Sequence, residues 1–322
     1  MRCGTRDARG CVPVTNTLHT SLSLSSEVAD AVATRTPVVA LESTLLSHGL
    51  PPGRNLDVAR RLENTVRETG AVPATIAVLD GVARVGLTDA ELERVCAPDA
   101  DLDKLSLRDL GPAVALRTSG ATTVAGTAAL AHAAGISVFA TGGLGGVHHP
   151  LPGSDLTWDV SADLGTLART GVLVVCSGMK SILDIAATLE VLETNSVPVL
   201  GYRTDDFPAF YLRSSGLSVP RRVDDPAQAA AVFAAHRAFS DSGVLLANPV
   251  PAEHELDRAL HDRLLAEGLE LVRERGVSGS DVTPVLLEHF HTASGGASLD
   301  ANEALVVANA RLASNVAVEL AR

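Results

Sequence analysis

Reactive side chains cluster where apolar runs of the sequence end. Glu42 directly follows the run Pro37-Val-Val-Ala-Leu41. A carboxyl group at the end of a buried strand, with apolar neighbours raising its pKa, suits a general acid; the same position also suits a structural hydrogen-bonding group. Lys180 follows a second run, Val172-Leu-Val-Val-Cys176, and Gly178. The spacing predicts that Lys180 opens a helix running to Glu193, where the positive end of the helix dipole and burial both disfavour an ammonium. A lysine kept partly neutral in this way forms imines with carbonyl carbons, whereas one left in solvent is only a charge.

Two further stretches could hold a ligand. Thr141-Gly-Gly-Leu-Gly-Gly146 exposes backbone amides without side-chain obstruction and is followed by His148 and His149, a cradle for phosphate or carboxylate or else a tight turn. It matches neither a Walker loop nor the GxGxxG dinucleotide fingerprint. Asp159-Val-Ser-Ala-Asp163 carries oxygen ligands at even offsets. If the segment is extended, Asp159, Ser161 and Asp163 share one face, as a hard ion such as Mg²⁺ or Mn²⁺ prefers; if a helix begins there, Ser161 is its cap.

The elements that must position these residues follow a strand, loop, helix rhythm. A short helix from Ser26 to about Thr34 precedes the first strand, and Asn55 and Asp57 open a helix with Val58, Leu62 and Val66 on one face and Gly70 as its stop. Ala74–Leu79 and Val82–Leu87 flank Asp80-Gly81, a hairpin signal, and Thr88-Asp-Ala-Glu91 is a capping box. Gly120–Ala134 reads as a helix, Ile136–Ala140, Val172–Cys176 and Val197–Tyr202 as strands, and the last quarter as helices near 227–240, 253–274, 281–292 and 300–321. Such alternation predicts an α/β fold of three layers, α/β/α, with a mixed, largely parallel sheet. Residues 1–25 read as a disordered extension and residues 26–322 as a single domain.

The chain has 322 residues, 26 basic and 38 acidic, for a net charge of −12. An acidic balance with one Trp, two Tyr and six Phe argues against a nucleic-acid binder, which needs a basic face and stacking platforms. No apolar stretch approaches the ~20 residues of a spanning helix, so no membrane partner is expected. The four cysteines, Cys3, Cys11, Cys96 and Cys176, are too few and scattered for a disulfide framework or a CxxC zinc site, and the N-terminal stretch has no secretory h-region. These features predict a cytoplasmic protein.

Taken together, the segments resemble the pseudouridine-5′-phosphate glycosidase family, also called indigoidine synthase A-like. The resemblance runs from about Ala40 to Ala321 through Ala40-Leu-Glu-Ser-Thr-Leu-Leu-Ser-His-Gly49, Gly70–Ala77, Gly120–Ala125, Ala140–His148, Asp159–Asp163, Lys180-Ser-Ile-Leu-Asp184 and Asp206–Tyr211. It implies cleavage of the carbon–carbon glycosidic bond of pseudouridine 5′-phosphate to uracil and ribose 5-phosphate, with one divalent ion per subunit, usually Mn²⁺, with Mg²⁺ as a substitute. Carried over by motif position, Glu42 would be the proton donor, Lys180 the covalent nucleophile forming an imine with ring-opened ribose, and Asp159 the metal ligand. Ser161, Ala162 and Asp163 would line the substrate; Lys104 would bind its phosphate, helped by Thr141 and His148; the Val124 backbone and the Asn302 side chain would also touch substrate. The resemblance further implies a homotrimer. Two other readings of the same residues are an aldolase-like Schiff-base lyase on another sugar phosphate, and a non-catalytic sugar-phosphate sensor.

Overall fold

Residues 21–149, 158–180, 182–277 and 282–322 are described by a computed structural model, so Cys3, Cys11 and the extension through residue 20 lie outside it. Eleven strands join one sheet among the described residues: β1 (Leu22–Leu24), β2 (Val38–Leu41), β3 (Val72–Leu79), β4 (Val82–Val85), β5 (Asp103–Leu105), β6 (Gly120–Thr122), β7 (Val138–Ala140), β8 (Leu173–Cys176), β9 (Val199–Tyr202), β10 (Arg221–Val223) and β11 (Val244–Ala247). Their order is β1-β4-β3-β2-β7-β8-β11-β9-β10, with β6 pairing β3 and β5 pairing β6 at the side. Pairs β3/β4 and β3/β6 are antiparallel. The other strand pairs are parallel, as expected for a mixed, largely parallel sheet.

Twelve helices are described: α1 (Ser26–Thr34), α2 (Thr44–His48), α3 (Arg54–Glu68), α4 (Asp89–Cys96), α5 (Leu107–Leu116), α6 (Val124–Ala133), α7 (Ala162–Leu167), α8 (Ile185–Thr194), α9 (Pro226–Arg237), α10 (Arg258–Arg275), α11 (Val282–Ala293) and α12 (Ala297–Leu320). Because successive side chains of a strand point to opposite faces, β2 divides its apolar run between two cores. Val39 and Leu41 pack with Val58 and Leu62 of α3, Phe233 of α9 and Leu305 and Ala313 of α12. Val38 and Ala40 pack instead with Ala128 of α6, Leu164 and Leu167 of α7 and Leu192 of α8. A strand covered on both faces needs an unbroken apolar run, which explains the runs in the sequence. The result is the three-layer α/β/α arrangement.

Local chemistry set several of these elements as expected. Asp80 and Gly81 both carry left-handed φ, 52° and 77°, closing the β3–β4 hairpin in the sense that matches strand twist. Thr88 and Glu91 form the capping box that starts α4.

Elsewhere the tertiary structure moves the boundaries. Order begins before Ser26, because β1 pairs in parallel with β4 inside the stretch expected to be a disordered extension. Gly120–Thr122 is a strand rather than the first turn of a helix, drawn into the sheet by β3 and β5; α6 starts only at Val124, capped by Thr123. The helix expected from Lys180 begins at Ile185, where Asp184 accepts the Ala187 N–H at 2.9 Å. Bridges from Leu144 to Met179 and from Val147 to Asp184 hold Met179 and Asp184 against the glycine loop and the residue just past it instead. The helix expected at 253–274 is a 3₁₀ turn, Ala252–His254, followed by α10.

Candidate active site

Strands β2, β7 and β8 are adjacent and parallel, so their carboxyl ends lie side by side. Each passes the chain into a site residue: Glu42 after β2, Thr141 after β7, and Ser177 through Lys180 after β8. Ligands of open α/β sheets bind at this edge because the loops there are free to diverge. Gly178 makes the last of these turns possible. It has φ +76°, and a Cβ on it would lie 1.9 Å from the Pro208 carbonyl oxygen.

The loops enclose a cleft of about 500 Å³ whose wall includes Glu42, Lys104, Val124, His148, Asp159, Ser161, Ala162, Asp163 and Lys180. A narrower recess of about 60 Å³ adjoins it, lined by Glu42, Lys104, Lys180, Gly143, Phe210 and Asn302 among others. Glu42 and Lys180 belong to both walls and therefore stand at the junction of the two compartments. Asn302 is buried, and its Oδ1 has no hydrogen-bond partner among the described residues.

Burial raises the pKa of Glu42; the Thr141 hydroxyl, which donates to its Oε1, and the positive charge of Lys180 oppose the shift without cancelling it. A carboxyl group held toward its neutral form can donate a proton at physiological pH. His148 is shifted the other way, lowered chiefly by burial against the opposing charge of Asp159, whose Oδ2 lies 3.7 Å from Nδ1. Its imidazole is therefore held toward the neutral form.

Asp163 is differently employed. It is buried at the first turn of α7, and its two carboxylate oxygens accept the N–H groups of Ala125 and Gly145, each at 2.9 Å. Ser161 caps the same helix by accepting the Asp163 N–H at 3.2 Å. The helix-start alternative for this segment thus holds, and Asp163 ties the start of α6 to the glycine loop. Gly145 is needed at that contact, since a Cβ would approach Ser161 Oγ to 2.4 Å and Asp163 Oδ2 to 2.7 Å.

A model of the family described as indigoidine synthase A like protein matches residues 27–319. The chain belongs to this family. Pseudouridine-5′-phosphate glycosidase of Salinispora tropica is 56% identical over 294 residues, covering 91% of this chain and 90% of the relative. The protein of the same name from Streptomyces griseus is 55% identical over 300 residues, covering 92% of each. Among solved structures, the prealnumycin C-glycosynthase AlnA in complex with ribulose 5-phosphate superposes with a TM-score of 0.85 at 42% identity, covering 93% of this chain and 97% of the other. An indigoidine synthase A-like protein from Thermotoga maritima gives 0.84 at 36% identity, covering 94% and 98%.

In this indigoidine synthase A-like fold, the residues singled out from sequence come together at the cleft and its recess except Thr141 and the exposed His149, which line neither wall. Thr141 is buried off the cleft wall with its hydroxyl committed to Glu42, so it orients the acid instead of reaching a phosphate. Lys104 is exposed on β5 at the cleft wall, reached through a strand pairing that no local pattern announces. Ser106 and Arg108, at the start of α5, and Thr123, which caps α6, also line the cleft, and sequence reasoning missed them. Ser-x-x-Asp at 106–109, a capping box, was the available signal. His48 was missed as well: it lines the recess and has Nε2 3.1 Å from the Leu102 carbonyl oxygen. Among the described residues no three His, Cys, Asp or Glu side chains gather as a metal cage.

Proposed function

We propose that the chain cleaves pseudouridine 5′-phosphate to uracil and ribose 5-phosphate, reversibly, through an imine between Lys180 and ring-opened ribose. The observation that carries this reading is the placement of Glu42, a carboxyl group biased toward its protonated form, and Lys180 on the shared wall of one cleft. The departing atom is carbon 5 of uracil, which protonates far more reluctantly than the oxygen leaving group of an ordinary glycosidase. The Lys180 amine attacks C1′ as the ring oxygen leaves and takes a proton, opening the ribose. Glu42 delivers a proton to C5, the nitrogen lone pair expels uracil as the C1′–C5 bond breaks, and water hydrolyses the resulting imine to free the sugar aldehyde and the lysine. Attack needs the neutral amine.

Lys104, Arg108 and the Val124 backbone at the first position of α6 would take the phosphate, because cationic side chains and a helix N-terminus both favour an anion. The recess beside Asn302 would receive uracil, whose N–H groups can meet the unpartnered Oδ1. Asp159 would hold a divalent ion, Mn²⁺ or in its place Mg²⁺. A single carboxylate on the cleft wall fits an ion that keeps most of its waters. When bound, such an ion supplies positive charge that orients and polarises oxygen ligands. We assign this activity to a cytoplasmic homotrimer; among the described residues no helix is long and apolar enough to cross a membrane.

One observation favours a second reading: the similar C-glycosynthase was solved with ribulose 5-phosphate, a different pentose phosphate. Uracil release separates the two. The test is uracil formation from pseudouridine 5′-phosphate beside uridine 5′-phosphate, with and without chelator. Release from the first substrate alone, lost on chelation and restored by Mn²⁺, is the expected result. Release from neither substrate overturns the proposal, and full activity in excess chelator removes the ion from it.

A further inference from the structure

Helix α12 sends one fully buried amide side chain across the ends of three strands. Asn309 Nδ2 donates to the Thr141 carbonyl oxygen at 2.9 Å, just past β7, and to Ser177 Oγ at 3.1 Å, just past β8. Its Oδ1 accepts from Asn248 Nδ2 at 2.9 Å, just past β11. Asn309 and Ser177 are both completely shielded from solvent. An asparagine offers both donor hydrogens and a carbonyl acceptor, and both kinds are engaged here, so neither aspartate nor leucine of similar size could reproduce the set.

We infer that Asn309 is a positioning residue for the proposed reaction: it locks the Thr141 and Ser177 turns together and thereby sets Glu42 against Lys180. Thr141 is the residue whose hydroxyl donates to Glu42, so fixing its carbonyl fixes the partner that aims the acid. Ser177 opens the turn that carries Lys180. Its N–H donates to the Gly142 carbonyl at 2.8 Å, and the Lys180 N–H reaches the Leu144 carbonyl at 3.4 Å, so the two turns are already zipped along one edge. Asn309 closes the other edge. A shift on the order of 1 Å between proton donor and nucleophile lowers turnover by as much as ~100-fold.

The inference rests on the imine reaction proposed above, and the full-length chain tests both. Active sites are counted by borohydride trapping with ribose 5-phosphate, and uracil release is then expressed per trapped site. Asn309→Ala is expected to lower kcat per site by about 10- to 100-fold with KM for pseudouridine 5′-phosphate within about threefold of wild type. Combined with Thr141→Val, its effect is expected to be less than multiplicative, because both changes loosen the same acid. A purely structural brace would lower melting temperature and the number of trapped sites while leaving kcat per site and KM unchanged, and that result overturns the inference. Should Asn309→Ala fail to fold, Asn248→Ala removes one anchor of the amide and is expected to lower kcat per site in the same direction; unchanged kcat there overturns it. A wild-type chain that releases no uracil overturns the activity itself, a readout separate from an unimpaired variant beside a working wild type.

Discussion

Lys180 separates chemistry from stability more cleanly than any other residue in the cleft. Lys180→Ala is expected to abolish uracil release, and Lys180→Arg is expected not to rescue it, because a guanidinium keeps its charge and supplies no neutral amine. An active arginine variant would exclude the imine. A lysine at a helix start would have stabilised the fold when removed, but α8 begins at Ile185, so relief of dipole repulsion does not apply. The melting temperature of Lys180→Ala should stay close to wild type, as for other changes away from capping and core, within about 0.5 kcal/mol. Lys104→Ala acts on binding: loss of a charge-assisted phosphate contact, on the order of 2 kcal/mol, should raise KM about thirtyfold with little change in kcat. Glu42 gives a pH signature. Its folded-state pKa is raised by burial, so the folded protein holds a proton that the unfolded chain releases, and the contribution of Glu42 to stability is present below the unfolded value and lost as pH rises through the folded one. Glu42→Gln cannot ionise. Its melting temperature relative to wild type should therefore increase between pH 5 and pH 8; a constant difference across that range would show that the carboxyl group is not biased toward its neutral form.

Among the elements, the segment Ser161–Leu167 with the glycine loop is the unit on which the site depends. Asp163 reaches backward to Gly145 and across to Ala125, so α7 fixes both the loop and the start of α6. Gly145→Ala drives a methyl group into Ser161 Oγ and Asp163 Oδ2 and should destabilise the chain by about 1 to 3 kcal/mol in chemical denaturation, with loss of activity. Gly165 in α7 is the contrasting case, where an added Cβ would meet Arg169 Nη2 at an ordinary contact of 3.7 Å. Gly165→Ala should stabilise by about 0.4 to 1 kcal/mol, since alanine loses less backbone entropy on entering a helix. Equal effects of the two substitutions would mean that the Asp163 contacts do not organise the loop.

At the scale of the molecule, a protein of net charge −12 must recruit a phosphate ester to a cleft whose cationic side chains are Lys104, Arg108 and Lys180. Leu107 and Val160 stay exposed near that cleft, 36% and 42%, beside Trp158 at 92%. Apolar side chains gathered at the rim of a site are suited to burial between subunits. Light scattering on the purified chain is expected to give three times the 33.2 kDa protomer mass, and Val160→Glu is expected to lower it. A monomer with full uracil release would show that the exposed rim serves no assembly.

The sequence by itself determined the layer architecture, the hairpin at Asp80-Gly81, and the order in which Glu42, the glycine loop, Asp159–Asp163 and Lys180 enter the site. These are legible because burial repeats at fixed spacing along a strand or helix, and because turn and cap chemistry is read within four residues. Tertiary structure alone decided that Gly120–Thr122 is a strand, that Lys180 lies in a turn ahead of its helix, and that Thr141 serves Glu42. Each of those outcomes rests on a partner far along the chain: β3 and β5 for Gly120–Thr122, the Leu144 carbonyl for Lys180, Glu42 itself for Thr141. A hydrogen bond between residues 99 positions apart leaves no period in the sequence, so only the folded sheet could bring its two ends together.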